Sequence, residues 1–229
     1  MAVNLFFATP VFIKVDVNHE QNVSQLKDEI YKMRGEDVGT VRSNQGGWHS
    51  ETNIFYRTEP GIKRICDLMT ECIHDCTKEI APDFQIDYQK LEMKCEGWVN
   101  INPQHSYNVP HDHPGYTWSC VYYVQVPDQK DSRSGKIEFL DPRTCVAANA
   151  IDIYKKSEHF AQKRKISPEN GMIIIFPSYL KHWVYPNAED EDRITFAYNF
   201  KFVKKRRTSP LNLGPSAKKN KNKGPTRKR

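Results

Sequence analysis

The apolar residues of this chain change from helical to strand period at Pro82. Before it, Val23, Leu26, Ile30 and Met33 recur at three- and four-residue intervals, predicting an amphipathic helix over about 19–34 that Gly35 ends. Gly39, Gly46 and Gly47 then mark a polar loop. Ile65, Met69, Cys72, Cys76 and Ile80 repeat the helical spacing, so a second helix is predicted over about 60–81, stopped by Pro82. Ahead of both, Leu5–Val17 places Phe6, Phe7, Val11, Phe12, Ile13 and Val15 around Pro10, the pattern of an edge strand interrupted at proline.

After Pro82 the apolar residues fall into short runs rich in Val, Ile, Tyr, Trp and Phe: Ile86–Leu91, Gly97–Ile101, Thr117–Val126, Lys136–Leu140, Met172–Phe176, His182–Tyr185 and Arg193–Val203. Seven such strands without helical pattern between them predict an antiparallel sandwich or barrel. The insert Thr144–Pro168 is polar and weakly helical around Ile151–Gln162, and is expected to lie beside the barrel mouth.

A length of 229 residues suits one domain, expected over 1–205. A composition 38% hydrophobic and 27% charged is that of a soluble globular protein. Met172–Leu180 is too short to cross a bilayer, and no charged leader opens the sequence, so a cytoplasmic location is expected with no membrane partner. Cys66, Cys72, Cys76, Cys95, Cys120 and Cys145 lack disulfide-framework spacing and are expected as free thiols, with Cys72 and Cys76 on a buried helical stripe rather than on a metal with His74.

The net charge of +6 divides unevenly. From Lys201 onward there are twelve basic residues and no acidic one, which leaves 22 basic against 28 acidic residues in 1–200, a net of −6. Residues 206–229 combine Lys and Arg with Ser, Pro, Gly and Asn, and are expected to form a disordered basic tail that attracts polyanions such as nucleic acid or a ribosome.

Candidate chemistry centres on His111, Asp112 and His113, just ahead of a strand. Alternate residues on an extended chain face the same way, so His111 and His113 can share one ion, while Asp112 could take the place of His113 only through a bulge or turn. His182, 71 residues beyond His111, can neighbour them in a jelly roll and complete a three-ligand set that leaves coordination positions open. Eleven residues after His182 comes Arg193, with Thr195 on the same strand face. A guanidinium beside a hydroxyl inside a barrel suits a small carboxylate.

Together with Leu5–Val11, SNQGGWHS (43–50), GWVNINPQHSYNVPHDHPGYTWSCVYY (97–123), Asp141–Arg143 and Phe176–Asn199, these residues resemble the iron(II)/2-oxoglutarate-dependent oxygenases, in particular a branch found in bacteria and phages with a HxHPG, SxVYYV and FPSxLxHxVxPN pattern. The resemblance implies a mainly β double-stranded β-helix (jelly roll, cupin-like) with the two N-terminal helices packed outside. It makes His111, His113 and His182 the iron ligands and Arg193 the anchor of the far carboxylate of 2-oxoglutarate, supported by Thr195. Tyr123 and Asn102 resemble further cosubstrate contacts, and His49, beside Gly46, Gly47 and Trp48, is a candidate for the substrate entrance.

The implied activity is a dioxygenase reaction, a hydroxylation coupled to decarboxylation of 2-oxoglutarate, with Fe(II), O2 and ascorbate as activator. The VYYV strand resembles that of prolyl hydroxylases, which implies a peptidyl or protein substrate. The superfamily's usual second ligand is a carboxylate, and this sequence has histidine at 113. An all-histidine set resembles that of thiol dioxygenases, so a thiol oxidation without 2-oxoglutarate is one alternative, and a non-catalytic cupin-like module associated with nucleic acid is another.

Overall fold

The computed structural model describes residues 2, 7–83, 85–87, 89–128, 133–143 and 159–205. Both expected helices form: α1 spans His19–Glu36 and α2 spans Pro60–Ile80, with proline in its first turn where a missing N–H costs nothing. Their buried stripes are the periodic residues, Leu26, Ile30 and Met33 in α1 and Ile65, Met69, Cys72 and Cys76 in α2. Cys66, Cys72, Cys76, Cys95 and Cys120 are free thiols, and Cys145 lies outside the described residues.

Eleven strands are described: β1 Phe12–Val15, β2 Asn44–Gln45, β3 Trp48–His49, β4 Leu91–Asn102, β5 Tyr107–His111, β6 Trp118–Gln125, β7 Ile137–Leu140, β8 Lys163–Ile166, β9 Met172–Pro177, β10 His182–Val184 and β11 Arg193–Lys204. They form two antiparallel sheets, one in the order β1-β9-β6-β11-β4-β3 and the other β2-β5-β10-β7-β8. The molecule is thus mainly β with flanking helices, as the run of short apolar segments predicts, and its two sheets face each other as a jelly roll.

Three local expectations are corrected. Ile86–Leu91 is not a strand, because the amides of Lys90 and Leu91 both bond to the Asp87 carbonyl in a turn, and the strand starts only at Leu91. Tyr107–His111 is a strand despite Pro110, and Lys163–Ile166 is one despite carrying three cations in four residues. Among the described residues Lys163–Ile166 pairs only with β7, at the sheet edge, where lysines are common because they discourage further pairing. Residues 144–158, with most of the expected helical insert, and residues 206–229, the expected tail, lie outside the described residues. Among the described residues no helix is long and apolar enough to cross a membrane.

Strand alternation splits the core in two. On β11, Ile194, Phe196, Tyr198 and Phe200 point outward and pack with Val99, Ile101, Ile173 and Ile175 under the helices. Arg193, Thr195, Ala197 and Asn199 alternate with them and face the second sheet. In register, Arg193 stands opposite Asn102, and Thr195 stands between Asn100 and Tyr123. Between the sheets, Val121, Tyr123, Ile137, Phe139, Ile174 and Phe176 form the second cluster, which walls the site.

Candidate active site

His111 ends β5 and His182 begins β10, and the two are direct partners in the antiparallel ladder. His113, two residues past the strand, is held by its own amide, which donates to the Ser178 carbonyl at 2.9 Å. Alternation turns His111 and His113 to one side, and Asp112 between them is exposed. One ligand atom from each of His111, His113 and His182 lies within 4.8 Å of the other two. The residues expected to share an ion are therefore brought together, with Asp112 outside the group.

Their surroundings prepare the imidazoles as ligands. The Nδ1 atoms of His111 and His182 lie 2.7 and 2.9 Å from the carbonyls of Val109 and Leu180. A carbonyl can only accept, so each Nδ1 carries the proton and each Nε2 keeps its lone pair. Burial, aided by the other histidines, pushes His182 down to about 3 and His113 down to about 4, and burial lowers His111 as well. All three are neutral near pH 7, the form that binds a metal.

The other end of the same cavity is lined by Tyr123, Thr195 and Arg193. Arg193 is 3% exposed. Its Nε donates to the Gly135 carbonyl at 3.2 Å, its guanidinium lies 5.1 Å from the centre of the Tyr123 ring, and no carboxylate among the described residues pairs with it. Gly135 has φ +60°, and a Cβ there would come within 3.0 Å of Arg193 Cδ, so glycine is what lets the arginine stem pass. The Tyr123 hydroxyl, both polar atoms of the Asn102 amide and Oδ1 of Asn100 are buried without a hydrogen-bond partner. Buried polar groups are ordinarily paired, so a buried guanidinium with no carboxylate partner, lining the same cavity as the Tyr123 hydroxyl, fits a small anion.

Asn102 sits opposite Arg193 but does not line the cavity, whereas Asn100, two residues earlier on the same face, does. Sequence reasoning passed over Asn100 although strand parity marks it. It also passed over Ser43, whose Oγ is 3.5 Å from His111 Nε2 and accepts from Asn108 Nδ2 at 3.3 Å, and Trp98, whose ring lies 5.7 Å from that of His113. His49 is not at an entrance. It is 3% exposed and stacks on Trp98 with centroids 5.3 Å apart, backing the ring that faces His113.

Residues 96–199, which contain all of these groups except Ser43 and His49, match the model of a family described as "Putative 2OG-Fe(II) oxygenase". The match covers a little under half of the chain, so this stretch is similar to that family. None of the curated proteins matches this chain. Among solved structures it is similar to a Pseudomonas putida prolyl-4-hydroxylase, at 13% identity and a TM-score of 0.56 over 83% of this chain and 91% of that one. It is also similar to a Trichoplax adhaerens prolyl hydroxylase in complex with a hypoxia inducible factor peptide fragment, at 12% identity and a TM-score of 0.59 over 83% and 82%. Streptomyces hygroscopicus HygX, solved with nickel and 2-oxoglutarate bound, gives 13% identity and a TM-score of 0.52 over 84% and 82%. At these identities the likeness is one of fold, and the chain shares with them a double-stranded β-helix.

Proposed function

We propose that the chain is a hydroxylase that converts 2-oxoglutarate, O2 and a C–H bond of a peptidyl substrate into succinate, carbon dioxide and the corresponding alcohol. The observation that carries this reading is the shared cavity, lined both by three neutral imidazoles and by a buried arginine with the Tyr123 phenol beside it.

His111, His113 and His182 would hold iron(II), whose chemistry when bound is activation of oxygen with the keto acid as co-reductant. Arg193 would take the far carboxylate of 2-oxoglutarate in a two-pronged charged pair. Burial pushes the Tyr123 phenol up, so it stays protonated and can donate to the same group, with Thr195 alongside. The Asn100 amide lines the cavity that holds both anchor and metal set. Three neutral ligands put no protein charge against a divalent metal, so the chelating carboxylate of 2-oxoglutarate would leave that end one charge positive, while Arg193 would balance the other carboxylate.

A peptidyl substrate is supported by the groove between β1 and β8, the free edges of the two sheets. Val11, Ile13, Leu140 and Leu180 give it an apolar wall, with Arg143 and Lys163 among its other lining residues. Its lining residue Phe139 has its ring 5.9 Å from that of His182, so an extended chain seated there passes close to the metal set.

The test is succinate formation from 2-oxoglutarate by the full chain with iron(II) and ascorbate, which needs no prime substrate. Succinate that depends on both iron and Arg193 supports the reading. Thiol oxidation without 2-oxoglutarate, or iron binding with no turnover of either kind, replaces it with the thiol dioxygenase or the silent binding module.

A further inference from the structure

Ser43 lies outside residues 96–199, the stretch that matches the family model, and reaches the site from the polar loop between the two helices. Backbone pairing fixes where it stands. The two residues after it form β2, which pairs with β5 as Asn44 opposite Asn108 and Gln45 opposite Tyr107, and the Ser43 carbonyl accepts from the Val109 amide at 3.0 Å. The Asn44 side chain, 6% exposed, ties the loop to itself. Its Oδ1 accepts from the Arg42 amide at 2.7 Å and its Nδ2 donates to the Gly47 carbonyl at 2.8 Å. Val109 then holds both Ser43 and the metal set, since its amide binds the Ser43 carbonyl and its own carbonyl accepts from His111 Nδ1 at 2.7 Å.

The protons in this corner all run one way. Asn108 Nδ2 has only protons to give, so at 3.3 Å it donates to Ser43 Oγ, and the hydroxyl keeps its single proton for another acceptor. His111 Nε2 stands 3.5 Å from Oγ, the outer limit of a hydrogen bond, and it is unprotonated because Nδ1 carries the proton toward Val109. Asn108 thus donates to Ser43, Ser43 points at His111, and His111 donates to Val109. Nε2 is also the lone pair that His111 offers to an ion. An ion that takes it deprives the Ser43 proton of this acceptor and leaves the hydroxyl aimed at the ion's own ligands.

We infer, on the reading that 2-oxoglutarate is the cosubstrate, that the Ser43 hydroxyl, oriented by Asn108, donates to the carboxylate with which the keto acid chelates the metal. Ser43 and Asn108 both line the cavity that holds the three histidines and Arg193. The acceptor that replaces Nε2 has to be an oxygen on the open side of the ion. The chelating carboxylate is the acceptor there that carries negative charge, and a hydroxyl donates more strongly to a charged oxygen than to a neutral one. Each carboxylate of 2-oxoglutarate is then held by a donor of its own, Arg193 at the far end and Ser43 at the metal. Ser43 touches the cosubstrate, and Asn108 is a positioning residue that acts through it.

The test is anoxic calorimetry of the full-length chain loaded with iron(II), titrated with 2-oxoglutarate and with 2-oxobutyrate, a keto acid that keeps the chelating end and lacks the far carboxylate. Ser43→Ala should raise the Kd of both by the same factor, about tenfold, the lower end of what a hydrogen bond to a charged group contributes. Arg193→Ala should weaken 2-oxoglutarate and leave 2-oxobutyrate as it was. Ser43→Thr keeps the hydroxyl and should restore both. Asn108→Ala should weaken both less than Ser43→Ala does, and should add nothing in the Ser43→Ala background. Iron(II) affinity before keto acid is added should stay close to wild type in Ser43→Ala, which separates a donor to the cosubstrate from a mere support of His111. Unchanged binding of both keto acids by Ser43→Ala, a loss confined to 2-oxoglutarate, or a loss of iron(II) instead overturns the role of Ser43 while the proposed function stands. Iron-loaded wild type that takes up neither keto acid overturns both.

Discussion

His182 faces His111 directly across the β10–β5 ladder, and their imidazole centroids stand 4.4 Å apart. Residues on paired strands cannot separate without breaking the sheet, so the fold itself presets two of the three proposed ligands. Either His111→Ala or His182→Ala should cut iron(II) affinity by more than about a hundredfold, the upper range for losing a mere supporting residue. His113→Asp should retain iron, and Asp112→Ala should leave affinity close to wild type because that side chain is exposed. Iron titration of the four variants checks this. Loss of iron by Asp112→Ala together with retention by His113→Ala would reverse the assignment of the two neighbours.

Arg193→Ala should keep the metal and lose 2-oxoglutarate. A hydrogen bond to a charged group contributes about 1.5–3 kcal/mol, so the cosubstrate Kd should rise by roughly ten- to 150-fold. Thr195→Ala removes one neutral hydroxyl and should raise it less. Tyr123→Phe should also weaken 2-oxoglutarate while leaving the fold intact, because the hydroxyl it removes accepts or donates no hydrogen bond among the described residues. Calorimetric titration of 2-oxoglutarate into metal-loaded variants decides. A Tyr123→Phe protein with unchanged cosubstrate affinity would exclude that phenol from the site.

The legible part of this site was the part written in strand alternation. His111 and His113 share a face because they are two apart, and Arg193 and Thr195 do so for the same reason. The period change at Pro82 located the boundary between helices and sheets. What stayed hidden depends on tertiary pairing. Ser43 reaches His111 from a loop 68 residues away, and nothing local distinguishes it from any other loop serine. Lys163–Ile166 has no apolar period of its own and is a strand because β7 pairs with it. Asn100 was legible and missed, since it alternates with Asn102 and Trp98 on β4.

The fold should be acid-labile in the absence of metal. His19, His49, His111, His113 and His182 all have lowered pKa values, each chiefly through burial. The unfolded chain titrates its imidazoles near 6.5 and binds more protons than the folded chain below that pH. Stability is therefore full above about pH 6.5 and falls as pH drops toward the folded values, about 4 for His113 and about 3 for His182. Asp16 adds to the loss at lower pH. Burial alone would raise it, but Arg64, the Asn18 amide and the Tyr122 hydroxyl outweigh that and hold it below its usual 3.8, so its contribution disappears only beneath that value. Thermal melts with a chelator, run from about pH 7 down to about pH 4.5, should show Tm falling throughout the lower half of that range. A flat or rising Tm there would contradict neutral buried histidines.

Gly97 fixes how closely the segment after the polar loop docks on the sheet that carries the site. It pairs with Tyr198 in the β4–β11 ladder and bridges Asn53, just before the short 3-10 turn Ile54–Tyr56. A Cβ at this position would lie 2.5 Å from Ile54 Cγ2 and 2.5 Å from Tyr198 Cδ1. Neither neighbour can yield, because Ile54 and Tyr198 are both fully buried. Gly97→Ala should therefore cost about 1–3 kcal/mol, the range for overpacking a filled core, and lower Tm by several degrees. Because Trp98 follows directly and its ring faces His113, the same strain should weaken iron binding slightly while leaving the ligands themselves in place. Ile54→Ala removes the crowded methyl, so it should cost less in the Gly97→Ala background than in wild type, where it only opens a cavity worth about 2–5 kcal/mol. Additive losses in that double-mutant cycle would show that the new methyl and Ile54 do not meet.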